Sequence, residues 1–285
     1  MTIRERRYVP WDGRWTRPWV RWLVLPRYGL RAAFRSRLFA SLYTMGFAAP
    51  LLGLLVIYVD ARADQLGQIG AVLAGFEIDR RTFRLFLEVQ SRIAFVVGLI
   101  VGPAMVADEL AAGALPLVLA RPIGRWGYIA GKLATPALLL SGLTWIPGLA
   151  LVLFKTSLSG SAWLLANLRI PAALFAASWC WIALICLLAL ASTAVAGSKS
   201  WGRGLFFALF VAPAAAGRAA ATIAGLDGAL ALDLSATVGT LYQWLFGDPV
   251  TTGLTPAVAV LAVLAWCGAA ALVIDRRIRP VRIVR

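Results

Sequence analysis

The stretch IPAALFAASWCWIALICLLALASTAV, residues 170–195, runs for 26 residues without a charged side chain. A helix rises 1.5 Å per residue, so about 20 apolar residues cross the hydrocarbon of a bilayer. In lipid the backbone must satisfy its own polar groups, which a helix does within one segment. The stretch therefore reads as a transmembrane helix. Further apolar runs lie at 38–58, 93–107, 133–154, 204–224 and 255–274. The chain is read as an all-α integral membrane protein with six transmembrane helices. The run at 93–107 is short, and its helix is expected to begin near Phe83 to Leu87, which puts Glu88 and Arg92 close to the outer interface. The loop at 59–92 balances five arginines with five acids. A short amphipathic helix outside the membrane, through Phe83, Phe86 and Leu87, is the alternative reading of that segment.

Composition agrees with a membrane protein. The 285 residues are 61% hydrophobic and 14% charged, against about 45–50% and about 25% in soluble domains. The net charge of +15 is read as cytoplasmic loops that hold the topology, not as a nucleic-acid surface. Residues 1–37 carry ten arginines against Glu5 and Asp12, and the tail 275–285 carries five against Asp275. Lys199 and Arg203 add to the same side, whereas 225–254 holds Asp227, Asp233 and Asp248 with no basic residue. Both termini are thus expected in the cytoplasm, N-in and C-in. The first apolar run begins only near Leu38, after a long basic lead, so no cleaved signal peptide is expected.

Three regions follow: a basic arm at 1–37, a transmembrane domain at 38–274 and a basic tail at 275–285. In the arm, Trp11, Trp15, Trp19 and Trp22 alternate with arginines, although Pro18 argues against one unbroken helix. Farther on, Leu30 and Phe34 form one stripe and Arg27, Arg31 and Arg35 the neighbouring one. This pattern predicts an amphipathic elbow helix lying along lipid headgroups, with its arginines toward phosphate.

Several chemistries lack their residues. The chain has no histidine, and its cysteines, Cys180, Cys186 and Cys267, all lie in apolar runs. No metal or haem site of the usual ligands is expected, and no bound cofactor. No pair of acids faces a common span for acid and base work, so the chain by itself is not read as an enzyme. Nor do the spans hold the carboxylates of a proton relay. Gly127, Gly131 and Lys132 in GYIAGKL come nearest to a phosphate-binding loop. One residue is missing between the glycines, and Leu133 stands where a hydroxyl must hold magnesium. ATP and magnesium would have to be bound by a separate chain.

One segment between spans is neither lipid-like nor a plain linker: DELAAGALPLVLARPIGRWGYIAGKL, residues 108–133. Leu115, Val118, Leu119 and Pro122 fall at helical spacing, with Gly113 and Pro116 at the entry and Arg121 and Pro122 at the end. Glu109 closes the second span and Lys132 opens the third. An element held between two spans can pass a push from below to both.

This segment resembles the signature of bacterial ABC-2 type permeases, the membrane subunits of ATP-binding cassette exporters. The resemblance is carried by Glu109, Gly113, Leu115, the run to Leu119, Pro122, Arg125 and Lys132, and Arg121 beside them is taken with them as an ATPase-coupling residue. Ala114 and Ala120 stand where the family has threonine and serine. It implies a coupling loop at 108–132 that docks on two cytosolic ATPase subunits, with a lesser contact around Lys199 and Arg203. It further implies a second permease copy or a homologous permease, re-entrant or surface helices at 225–254, and residence in a bacterial cytoplasmic membrane. The implied function is ATP-driven export, with extracytoplasmic accessory proteins as further partners, and the apolar interior without charges favours a hydrophobic or amphiphilic substrate. The alternative is a non-transporting subunit that does mechanical work on an envelope complex.

Overall fold

The computed structural model describes residues 22–62, 78–113 and 124–278. The arm before Trp22, most of the segment between the second and third spans, and the tail beyond Ile278 lie outside the described residues. Leu115, Leu119, Arg121 and Pro122 fall there. The described chain is helical, without a strand, and it has six helices long and apolar enough to cross a membrane. It is a multi-pass membrane protein.

The spans run Arg37–Ala61, Arg80–Ala111, Arg125–Ser159, Arg169–Ala196, Lys199–Ala224 and Pro256–Arg277. The first is built from α2 (Arg37–Met45) and α3 (Ala48–Ala61), the second from α4 (Arg80–Val101) and α5 (Ala104–Ala111). The third is α6 (Arg125–Leu143) followed by α7 (Trp145–Ser159), and a short α8 (Ser161–Ala166) comes next. The fourth and fifth are α9 (Arg169–Ala196) and α10 (Lys199–Ala224). A 3-10 turn at Asp227–Leu232 and α11 (Leu234–Phe246) precede the sixth, α12 (Pro256–Arg277). Ahead of them all lies α1 (Val24–Phe34).

The breaks inside the first three spans share a cause. Proline supplies no N–H and crowds the carbonyl four residues back. Pro50, Pro103 and Pro147 sit just past the interruptions at Gly46, Gly102 and Thr144. Several helix starts are capped by side chains. Asp79 accepts from the Thr82 amide at 3.1 Å, and Asp233 accepts from the Ser235 and Ala236 amides at 2.9 and 3.2 Å. Between α9 and α10 the chain turns in two residues. Gly197 takes a left-handed conformation (φ 69°), which its missing Cβ allows, and Ser198 caps α10.

The second span differs from one expectation. Phe83, Phe86 and Leu87 belong to α4 itself and not to a separate outer helix, and α4 starts at Arg80. Phe83 and Leu87 are fully buried. Two of the charges that made this stretch look like a loop are paired within the bundle: Arg84 bridges Glu88 and Asp248, the latter at 2.6 Å.

Apolar all round, α9 is the central helix, as such a sequence requires. It packs on the second, third, fifth and sixth spans and on α11. Its contact with the second span is made through small residues, which let membrane helices approach closely. A Cβ at Gly98 would collide with Ile185, and one at Gly102 with Ala189. The first span packs mainly on α7 and less on α4, and much of it stays uncovered.

Helix α1 lies against α6. A Cβ on Gly131 would come within 2.6 Å of Leu25 Cδ1, and one on Gly29 within 2.5 Å of Thr135 Oγ1. Leu30 is half-buried on this contact, Arg27, Arg31 and Arg35 are exposed, and Phe34 meets Phe39 and Tyr43 edge to face.

Candidate functional site

Successive spans divide the bundle into two ends. The near end gathers Ala111, Arg125, Lys199 and Arg277; the far end gathers Ala61, Arg80, Arg169 and Pro256.

At the near end, Arg125, Tyr128 and Lys132 fall at positions 0, 3 and 7 of α6, on one helical face. Lys132 Nζ donates to Glu109 Oε1 at 2.6 Å and to the Met105 carbonyl at 2.6 Å. The Tyr128 hydroxyl donates to the other oxygen of Glu109, and its ring is almost fully buried. The Lys132 ammonium also lies over that ring, 5.5 Å from its centroid. Glu109 is thus held by two donors from the opposite side of the 112–124 connection. Charge-assisted hydrogen bonds of this kind are the strong ones, and here water is partly excluded.

A second tie joins the third span to the sixth. Arg125 Nη2 donates to Asp275 Oδ1 at 2.8 Å and to the Asp275 carbonyl. A third joins the fifth to the second, where Arg203 donates to the Ile100 carbonyl at 3.1 Å. The near end is therefore laced across four spans by side chains.

Of the residues singled out in the sequence, Glu109 and Lys132 meet and Arg125 joins the same end. Gly113 closes the described part of the second span at φ 60°, with open space around it. Leu115, Leu119, Arg121 and Pro122 lie outside the described residues. Tyr128 and Asp275 were missed. Tyr128 could have been found four residues before Lys132 on its helix, and Asp275 as the lone acid of the basic tail.

The far end carries a different feature. A cavity of about 800 Å³ opens between α4, α10 and α11, with Trp181 of α9 at its wall. Its rim holds Glu88, Arg92 and Arg218, and its depth is lined by Phe95, Phe207 and Phe210. Ser91 and Tyr242 hydrogen-bond at 2.7 Å in the wall, and Trp181 Nε1 donates to the Ser91 carbonyl at 3.0 Å. Burial pushes the Tyr242 phenol well above its ordinary range, so it stays a neutral donor and acceptor. Arg218 Nε donates to Asp233 at 2.6 Å, and Arg169 donates to the Trp244 and Leu245 carbonyls at 2.7 and 2.8 Å. Among the described residues no group of three or more acidic or cysteine side chains is placed to hold a metal ion.

The arrangement offers a mechanically braced end and a lined cavity at the other. No protein-family model matches this chain, and no curated protein matches it.

Proposed function

We propose that this chain is the permease subunit of an ATP-driven exporter of the ABC-2 type in a bacterial cytoplasmic membrane. ATP is hydrolysed on separate cytosolic subunits, and the segment 108–132 receives the motion. The Glu109–Lys132 pair carries this reading. It ties the last turn of the second span to the third span, so a displacement of the connection between them must move both. A plain linker needs no such brace. The near end is the cytoplasmic one in this proposal, since the arginines of α1, Lys199, Arg276 and Arg277 collect there and basic loops stay inside.

In this reading α1 is the elbow, and its packing on α6 joins it to the same braced unit. A second permease copy or a homologue completes the complex. Motion at the near end then biases the spans between two arrangements. The cargo is hydrophobic or amphiphilic.

The test is purification of the tagged chain from its native membrane in mild detergent, with mass spectrometry of what accompanies it. A stoichiometric cytosolic ATPase is the expected result. Recovery of the chain alone, even after cross-linking, would overturn the proposal.

A further inference from the structure

The far-end cavity is graded along the helix axes. On α10, Arg218 lies eight residues beyond Phe210, about 12 Å along the helix. On α4, Arg92 lies one turn beyond Phe95 in the same direction. Both arginines and both phenylalanines line the cavity. Small side chains open the space between, with Ala214 and Ala215 on α10 and Gly239 on α11. The result is a polar rim toward the far membrane interface and an aromatic depth toward the bilayer centre. That is the polarity of a lipid in one leaflet.

The charges of the rim choose the sign of the headgroup. Glu88 is taken by Arg84. Asp233 is fully buried and taken by Arg218 and by the cap of α11. Arg218 spends its Nε on that bridge while 65% of its side chain stays exposed. Arg92 makes no hydrogen bond or ion pair among the described residues, although it lies within a membrane-spanning helix. Arg92 is exposed on the rim, so its guanidinium is open to a phosphate or carboxylate through a forked pair of hydrogen bonds.

We propose that this cavity binds an anionic amphiphile, its phosphate or carboxylate on Arg92 and Arg218 and its first chain against Phe95, Phe207 and Phe210. A volume of about 800 Å³ falls within the roughly 300–1,000 Å³ of small-molecule sites. Phe207 and Val211 are half-exposed at the edge of the cavity, so a longer or second chain leaves sideways into lipid. The site is separate from the Glu109 brace, so it stands whether or not an ATPase is found.

The experiment is native mass spectrometry of the full-length protein in non-ionic detergent, titrated with phosphatidylglycerol, phosphatidylcholine or oleate. The wild type should retain an anionic ligand roughly tenfold better than phosphatidylcholine, the ratio that one charge-assisted hydrogen bond supports. Preference for phosphatidylglycerol identifies a bilayer lipid, and preference for oleate a diffusible amphiphile; both support the site. Arg92→Gln should remove the preference, and Ala214→Trp, which fills the cavity without touching a charge, should remove retention itself. Equal retention of phosphatidylcholine, or anionic retention unchanged in Ala214→Trp, would leave only annular lipid and overturn the proposal. If Arg92→Gln fails to fold, Ala214→Trp and Gly239→Phe decide alone.

Discussion

Gln90 donates its buried side-chain amide to the Gly46 carbonyl at 3.0 Å, and the residue four positions beyond that carbonyl is Pro50. A helix would satisfy Gly46 with the amide of residue 50, which proline lacks. A side chain of the second span thus completes the backbone of the first. Gln90→Leu should lower stability by about 1 kcal/mol, the net worth of a buried hydrogen bond. Adding Pro50→Ala, which restores an N–H, should recover most of it. Thermal melts in detergent measure both, and equal melting of the single and double variants would refute the compensation.

The Glu109–Lys132 pair predicts a functional asymmetry. Under the proposed function, Glu109→Gln should leave expression intact and reduce ATP turnover of the complex with its ATPase on the order of tenfold, the usual scale of coupling between sites. Glu109→Lys combined with Lys132→Glu should regain part of the loss, because the pair is rebuilt with its sign reversed. A double variant no better than the worse single one would count against a direct bond.

Asp233 and Arg218 should respond unequally to neutralisation. Asp233→Asn keeps an oxygen for the α11 cap and leaves behind only a largely exposed arginine, so it should cost about 1 kcal/mol or less. Arg218→Gln strands a buried carboxylate and should cost about 3 kcal/mol. Chemical denaturation of the two variants ranks them, and the reverse order would show that the carboxylate is better solvated than its burial indicates.

Helix α1 should be released by overpacking its contact. Gly131→Val puts new carbon where Leu25 and the Trp22 carbonyl already stand, within 3.0 Å of both. A cost of about 1–3 kcal/mol is expected. Trypsin should then cut faster at Arg27, Arg31 and Arg35, and an unchanged digestion pattern would show that α1 is held elsewhere.

The six spans were legible in the sequence because each is a run of apolar residues long enough to register without a partner. The extent of the second was less so. Hydropathy scores Arg84 and Glu88 as solvated, whereas Arg84 bridges Glu88 one turn on and Asp248, 164 residues later in the chain. Glu109 and Lys132 were visible because they bracket one local segment. Arg125 was visible too, but its partner Asp275 comes from the far side of the chain. The cavity left no local signal. It exists because Ala214 and Gly239, unremarkable on their own helices, face the same space. Breaks at Pro50, Pro103 and Pro147 were readable in principle, since proline acts through its own backbone, but hydropathy windows average over them.

The two-residue turn at Gly197 and Ser198 bears on how the protein is made. It leaves no slack for the fourth and fifth spans to enter the bilayer one after the other. The fourth is strongly apolar, while the fifth is less so and carries Arg218 within its length. Joined so tightly, the pair must partition as a helical hairpin during biosynthesis. The greasier partner then escorts across the translocon a segment that would hesitate there alone.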